Sequence, residues 1–498
     1  MNMGCLVYAV AFLMAMEPEP ALGNGPEIKA EEIRALVEKS RTFWEVPGCA
    51  VVLVHQGKTV FLSGFGVSQA GKPAPVTAES LFPLASCTKG FTSTLAASLV
   101  SKNKIAWEGR VQQYLPWFQL KDPLASADCR VRDLFCHRCG LESHDLLWYR
   151  SGQAAEALVK KLALLDAAYP FRSSFRYQSM AYAAGGLVCQ QASGKPWEEL
   201  IQEEIFSPLG MRDSTCKTPT VKMASGHRLN SQGNPVPVPA YPFSLPDPSN
   251  SIYTNAQDLG RWLSFQAGCY SKLKKGDPYC REVRETHQGQ VVLPWDEFHK
   301  KTHRFTRQMT YGMGWVIQDY RGMKMVSHAG AIDGFRAHLM LIPEKEFALG
   351  LLANLEQTPM NLALSNSLVD LVFHYSPADW DREIKAVQGQ EQKAMADQWL
   401  EKKQKLIADN PRPIPATGAV GKFHHPAYGV ATLEKAGGNY RFHLGELQVE
   451  LAPLGGSVLG AIDFTFGNPL MALLGDSNGK VSGLSVGGRL NVVFQKKD

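Results

Sequence analysis

Ser86 and Lys89 stand three residues apart in LFPLASCTKGFTSTLAASLV, residues 81 to 100, where an apolar strand-like run gives way to a helical pattern. A serine hydroxyl attacks poorly near neutral pH unless a neighbouring group takes its proton. On a helix, residues three apart share a face, so Oγ of Ser86 and Nζ of Lys89 can approach each other. The lysine can act as that acceptor only if burial or nearby positive charge lowers its pKa. The helix N-terminus beneath Ser86 offers backbone N–H groups and a positive dipole end, both suited to a developing oxyanion. The spacing alone leaves a second reading open, a helix cap followed by a solvated lysine.

Other residue types in the chain invite chemistry as well. Cys136-His137-Arg138-Cys139 has C-x-x-C spacing, but no second C-x-x-C follows at zinc-ribbon distance, so these are read as ordinary buried thiols. His144-Asp145 follows Ser143, yet adjacent residues do not make a triad, and a structural role is expected. His424-His425 has no acidic or cysteine partner at ligand spacing and is read as surface; no metal site is expected. Cys269 and Cys280 flank a polar loop and are the pair to test for a disulfide.

These residues must be positioned by regular elements. Glu31 to Arg41 has helical spacing, and two strand-like runs, Cys49 to His55 and Thr59 to Phe65, are joined by Gln56-Gly57-Lys58 into a hairpin. Helices are expected over Ser86 to Val100, Ser179 to Ala192 and Asn255 to Gln266, the last capped by Asn255, with a short element opening at Asp133. The Pro-rich span from Lys217 to Asn250 is expected to be loop-rich. Four strands are expected over Tyr311 to Gln318, Lys324 to His328, Ala337 to Ile342 and Phe347 to Leu352, with Gly334 and Pro343-Glu344 as stops. Strands at both ends with helices between imply an α+β domain whose sheet is mostly antiparallel. A charged helical stretch from Arg382 to Ala408 ends at Asn410-Pro411-Arg412-Pro413, and short alternating runs after it, at 429–434, 440–444 and 490–494, suggest a small β-barrel or sandwich.

The 498 residues are 45% hydrophobic and 20% charged, enough for a sizeable core in one large or several smaller domains. The net charge of +5, from 52 basic and 47 acidic residues, comes without a basic stripe interleaved with aromatics, which argues against nucleic acid as a partner. The apolar run Cys5 to Met16 is too short to span a bilayer and is read as the core of a secretory signal, with Ala21-Leu22-Gly23 as the cleavage site. A secreted or periplasmic protein with no stable membrane span is therefore expected. Cleavage there leaves nine of the ten cysteines, an odd number, so at least one stays unpaired within the chain.

Several of these segments, taken in order, resemble one family. SLFPLASCTKG (80–90), DLFCHRCGL (133–141), FRYQSMAYAAGGLV (175–188), IFSPLGMRDST (205–215), YGMGW (311–315) and His328-Ala329-Gly330 resemble the serine β-lactamase and penicillin-binding-protein superfamily, and more narrowly its class C-like serine hydrolases. The resemblance covers residues 30 to 375 and implies an antiparallel sheet flanked by helices, with a helical subdomain. It implies that Ser86 is the acyl-accepting nucleophile and Lys89 its partner in the S-x-x-K motif. Tyr177-Gln178-Ser179 matches the Tyr-x-Asn motif: Tyr177 would exchange protons with the serine and the leaving group, partly ionised under the influence of Lys89. Ser179 replaces the asparagine that holds the substrate's acyl side chain. His328-Ala329-Gly330 takes the place of Lys-Thr-Gly, on a strand edge, and a histidine there can be neutral where the lysine binds a substrate carboxylate. By the same analogy the backbone N–H groups of Ser86 and Ala331 form the oxyanion hole, beside Gly330.

The C-terminal segment resembles the small β-domain often appended to these hydrolases, through Gly421-Lys422-Phe423 to Tyr428-Gly429 and Gly479-Lys480-Val481. The expected organisation is a signal over 1–23, the hydrolase domain over 24–379, a charged helical linker over 380–415 and the β-domain over 416–498. The expected function is cofactor-free hydrolysis of an amide, small peptide or ester through an acyl-enzyme on Ser86. The alternatives are a true β-lactamase or D-Ala-D-Ala carboxypeptidase, and a catalytically silent binding or regulatory homologue.

Overall fold

A computed structural model describes residues 29–414, 418–462, 469–476, 480–487 and 492–497. The expected export signal, Gly479, and Leu490-Asn491 of the last expected strand lie outside these residues.

Helix α1 (Ala30–Phe43) is followed by strands β1 (Gly48–His55) and β2 (Lys58–Gly66). Gln56 and Gly57 both have positive φ, 50° and 74°, the backbone of a two-residue hairpin turn whose twist matches its strands. Further along come α2 (Thr88–Ser101), α3 (Ser179–Ser193), α4 (Ala256–Gly268) and α5 (Pro278–Thr286). Strands β3 (Val291–Val292), β4 (Met309–Tyr311), β5 (Val316–Tyr320), β6 (Met323–Ile332), β7 (Phe335–Ile342) and β8 (Phe347–Ala353) follow, then α6 (Met360–Val372) and the long α7 (Trp380–Asp409).

The eight strands form one sheet in the order β2-β1-β8-β7-β6-β5-β4-β3, antiparallel throughout. The N-terminal hairpin thus pairs with the last strand of the domain, Val51 opposite Leu351, as the α+β reading requires. Alternate residues of β1 feed different cores. Cys49, Val51 and Leu53 pack with α1, α6 and the start of α7, whereas Ala50, Val52 and Val54 pack with α2 and α4.

One expectation is corrected. The run Tyr311 to Gln318 is two strands, not one: the chain turns back at Gly312-Met313-Gly314-Trp315 and pairs Tyr311 with Val316. An uninterrupted apolar pattern hides this turn, which Gly314 makes possible at φ 89°. The Lys217 to Asn250 span is loop-rich as expected, with one short hairpin in which Gly226–Leu229 pairs with Pro235–Val238. The expected pair Cys269 and Cys280 forms a disulfide between α4 and α5. Cys129, Cys136, Cys139 and the other free cysteines described are buried.

The C-terminal part is a closed eight-stranded barrel, β9 (Gly421–His425), β10 (Gly429–Ala436), β11 (Asn439–Leu444), β12 (Leu447–Gly455), β13 (Val458–Ala461), β14 (Leu470–Gly475), β15 (Val481–Val486) and β16 (Val492–Lys496). Closure pairs β9 with β16, Phe423 opposite Lys496, so among the described residues every strand of the barrel has a partner on each side. Its interior is filled by Phe423, Leu433, Phe442, Leu451, Leu484 and Phe494. Among the described residues no helix is long and apolar enough to cross a membrane.

Candidate active site

Ser86 sits in a single 3-10 turn, Ala85–Cys87, at the entrance to α2. Ala85 before it has φ 46°, a left-handed backbone that costs an alanine about 1 kcal/mol or more and is held by its surroundings. Those surroundings are two. Leu84 N–H donates to the Ile252 carbonyl at 2.8 Å. On the other side β6 presses in: it pairs with β5 only over Met323 to Ser327, so His328 to Ile332 have a free side toward the Ser86 turn. Gly330 makes that approach possible, since a Cβ there would stand 2.1 Å from the Leu84 carbonyl oxygen. His328-Ala329-Gly330 thus lies on a locally unpaired strand edge, as expected.

Helix α2 is buried on every side from Thr88 to Leu99. Its small residues allow this: Gly90 lies under Trp315 and Trp262, and Phe91 stacks on Trp262 at 3.9 Å. Gly314 approaches the Lys89 carbonyl so closely that a Cβ would sit 2.9 Å away. The turn of the unexpected hairpin therefore seats the helix that carries the lysine.

Lys89 has no exposed surface, whereas Ser86 is partly open to solvent. Nζ lies 3.4 Å from Ser86 Oγ, 3.4 Å from Ser179 Oγ and 3.1 Å from the Ser249 carbonyl oxygen. Burial lowers the Lys89 pKa to about 8, even though Asp247 and Asp145 favour its charged form. An amine buried to this extent is partly neutral at mildly alkaline pH and can accept a proton.

Tyr177 flanks the same amine, with Nζ 4.8 Å from its ring centre. Burial raises its phenol well above the ordinary range, and interaction with the Ser86 hydroxyl offsets this only in part. The expected partial ionisation is thus corrected: Tyr177 is a neutral phenol, able to donate or relay a proton, because desolvation outweighs any help from Lys89.

His328 is neutral, its pKa lowered to about 3 chiefly by burial and then by Lys89. Both ring nitrogens are engaged. Nδ1 lies 2.7 Å from the Ala329 carbonyl oxygen, which can only accept, so Nδ1 carries the proton and Nε2 accepts from the Tyr311 hydroxyl at 3.0 Å. His137 completes the chain. Its Nδ1 accepts the Gln178 N–H at 3.0 Å, leaving Nε2–H to donate to the Tyr311 oxygen at 3.2 Å. The partners alone set both tautomers. This chain braces the strand edge against the Tyr177 segment and presents no cation to the cleft.

Alongside Ser179 and Ser249 opens a cleft, partly open to solvent, lined among others by Trp148, Ser179, Tyr241, Phe243, Asp247 and Glu446. Glu446 comes from the turn between β11 and β12, so the barrel supplies part of the wall. The barrel docks through that turn, Glu446 N–H donating to the Arg150 carbonyl at 2.8 Å, and through the Tyr428 hydroxyl, 2.7 Å from His144 Nδ1. His144 therefore has the structural role expected of it, at φ 48° in the loop that continues to Tyr149 and Arg150. That loop is pinned in turn to Asp333, 2.8 Å from the Tyr149 hydroxyl and 2.6 Å from Arg150 Nη2. His425 Nδ1 accepts the Ala427 N–H at 3.1 Å within its own turn.

The structure brings together Ser86, Lys89, Tyr177, Ser179, His328 and Gly330, and Ala331 follows on the same strand edge, opposite Arg336 of β7. It adds residues that sequence reasoning passed over: Asp247, Ser249 and Asn250 from the Pro-rich span, and His137 and Tyr311. The cluster of polar turn-formers in Asp247-Pro248-Ser249-Asn250-Ser251 was the available signal.

The Beta-lactamase family model matches residues 36–372. An unguisins hydrolase from Aspergillus campestris is 25% identical over 434 residues, which cover 81% of this chain and 77% of that protein. The protein Flp of Staphylococcus aureus is 22% identical over 333 residues, 65% of this chain and 63% of its own length, so the match spans under two thirds of Flp. Among solved structures, the octameric penicillin-binding protein homologue from Pyrococcus abyssi aligns over 94% of this chain and 100% of its own, with a TM-score of 0.61 at 17% identity. A class C β-lactamase mutant aligns over 69% of this chain and 99% of its own, with a TM-score of 0.57 at 19% identity. With a match across most of the α+β domain, on the antiparallel sheet and the Ser86 turn already described, the chain belongs to the Beta-lactamase family, within the serine hydrolase superfamily.

Proposed function

We propose that this protein is a serine hydrolase that forms an acyl-enzyme on Ser86 and hydrolyses an amide, small peptide or ester. The observation that carries this reading is the fully buried Lys89 amine, 3.4 Å from the Ser86 hydroxyl with its pKa lowered to about 8. Neutral Lys89 takes the hydroxyl proton as Oγ attacks the carbonyl carbon. The backbone N–H groups of Ser86 and Ala331 hold the oxyanion, helped by the N-terminal end of α2. Tyr177, as a neutral phenol beside Ser86, passes a proton to the departing amine or alcohol. Water then attacks the ester and releases the acid.

Hydrolysis of amides or esters is favoured over that of penicillins because His328, where the family's lysine meets a substrate carboxylate, is neutral and has both nitrogens engaged. The name of the unguisins hydrolase relative agrees with a hydrolytic role. Export through an oxidising compartment belongs to the same proposal, and the Cys269–Cys280 disulfide supports it.

A fluorophosphonate probe tests the nucleophile: an adduct on the wild type that Ser86→Ala abolishes is expected, and an adduct that survives Ser86→Ala refutes the assignment. A screen of p-nitrophenyl esters, D- and L-amino-acid amides and nitrocefin tests the substrate class. Turnover of esters or amides is expected; strong nitrocefin turnover with silent esters and amides makes the protein a true β-lactamase instead.

A further inference from the structure

Ser179 stands where the motif's asparagine is expected, and its hydroxyl is engaged by Lys89. A carboxamide nevertheless stands at the nucleophile, delivered by another stretch of chain. Asn250 is 2% exposed, and its Oδ1 lies 3.3 Å from Ser86 Oγ. Its Nδ2 donates to Asp247 Oδ2 at 3.2 Å and to Ser249 Oγ at 2.7 Å. A carboxylate only accepts, so the NH₂ must face Asp247 and the carbonyl must face Ser86.

The turn that carries Asn250 is tied to the Ser86 helix at three points. Thr92 Oγ1 donates to the Pro248 carbonyl at 2.6 Å, Lys89 Nζ to the Ser249 carbonyl at 3.1 Å, and the Ile252 N–H to Thr88 Oγ1 at 3.1 Å. Asp247 is itself fixed, accepting from Ser249 N and Oγ at 2.7 Å each. The acceptor at Ser86 is therefore part of a rigid frame.

We propose that Asn250 is a positioning residue for the nucleophile: its carbonyl holds the Ser86 hydroxyl in the resting enzyme and hands it to Lys89 when that amine becomes neutral. The step rests on the acyl-enzyme reading above and follows from counting protons. Ser86 Oγ has one hydrogen, with Asn250 Oδ1 at 3.3 Å and Lys89 Nζ at 3.4 Å, and the neutral Tyr177 phenol beside it can donate to Oγ without taking that hydrogen. An ammonium has no lone pair, so while Lys89 is charged it donates to Oγ and the hydroxyl donates to Asn250. Once Lys89 is neutral its lone pair is the stronger acceptor, and the hydroxyl turns from the amide to the amine. From that arrangement the proton passes to Nζ as Oγ bonds to the carbonyl carbon.

The groups around Lys89 are Asp247 and Asp145, which raise its pKa, the Cys87 thiol, the Tyr177 and Tyr182 rings, and neutral His137 and His328. Asn250 itself faces Asp247 and Ser249. A carboxylate placed at residue 250 would join the two aspartates and favour the ammonium.

The test is the rate of Ser86 labelling by a fluorophosphonate, followed against pH on the full chain. In the wild type the rate rises through a limb near pH 8, set by Lys89. In Asn250→Asp, which keeps the side-chain shape, the limb moves up by about one pH unit or more. In Asn250→Ala the limb stays near that of the wild type and the rate falls by about tenfold, the effect of one lost hydrogen bond at the reacting atom. The limb and the rate are both read per folded protein, so a loss of folded protein imitates neither; the shift in Asn250→Asp reports that residue 250 faces the Ser86–Lys89 pair, and the lower rate in Asn250→Ala reports the lost hold on the hydroxyl. A wild-type labelling rate in Asn250→Ala, or an unmoved limb in Asn250→Asp with Ser86 still labelled, overturns the proposal and leaves the acyl-enzyme reading intact. The absence of any Ser86 adduct in the wild type overturns both.

Discussion

Lys89 carries a cost that its position makes necessary. Its folded-state pKa of about 8 lies below the ordinary 10.5, so the fold disfavours the ammonium. The sign follows: below pH 8 the amine is charged in both states and the penalty is fully present, and between pH 8 and 10.5 it is relieved as the folded protein sheds its proton. Lys89→Met, which fills similar space without charge, is therefore expected to raise stability at pH 7 by up to ~3 kcal/mol, less what the lost hydrogen bonds return. The gain should vanish by pH 10 to 11, and fluorophosphonate labelling should be lost. Urea unfolding at the two pH values checks the first, and a variant no more stable at pH 7 than at pH 10, relative to wild type, contradicts it. The Ser86–Lys89 pair was legible because it is local, three residues apart across a 3-10 turn and the first turn of α2. Asn250 was not, since it meets Ser86 across 164 residues and lies in a span without periodicity.

At the scale of elements, two glycines set the distance between parts. Gly330 lets β6 touch the Ser86 turn, and Gly314 lets the β4–β5 hairpin touch α2. Gly330→Ala would place a Cβ 2.1 Å from the Leu84 carbonyl oxygen, and the neighbour is backbone, which cannot swing aside. The turn must move, so Ser86 labelling is expected to fall by about 100-fold, the cost of an ångström-scale misplacement. Stability should fall by about 1–3 kcal/mol. Labelling within threefold of wild type would show that the turn tolerates the shift. Most helices and strands of this domain could be read from periodicity or from continuous apolar and small-residue runs bounded by turn residues, since several, such as α2 and β8, are buried on all sides. The β4–β5 turn could not, because Met313 and Trp315 are buried as deeply as strand residues would be and continue the apolar pattern.

At the scale of the whole molecule, the barrel is docked against the loop that borders the cleft and lends Glu446 to its wall. Tyr428→Phe removes the hydroxyl from His144 Nδ1 and leaves that buried nitrogen without its partner. About 1 kcal/mol of docking should be lost, and amide hydrogen exchange over residues 144–152 should quicken by about fivefold with little change at β1 or β8. Uniform quickening, or none, would show that this contact does not hold the two parts together.

The sequence by itself determined the α+β architecture, the separate β-domain, the Ser86–Lys89 pair, and the order of motifs that place the chain in its family. Each is written in local periodicity or in short-range spacing, which the backbone obeys wherever the element is later packed. Only the tertiary structure decided the electrostatics. Whether Lys89 is charged, whether Tyr177 is ionised, which nitrogen of His328 holds its proton, and which amide stands beside the nucleophile all depend on desolvation and on partners distant in the chain. The same serine and lysine on an exposed helix would be a cap and a solvated cation; burial against the 247–252 turn gives them the contacts from which we propose a nucleophile and its base.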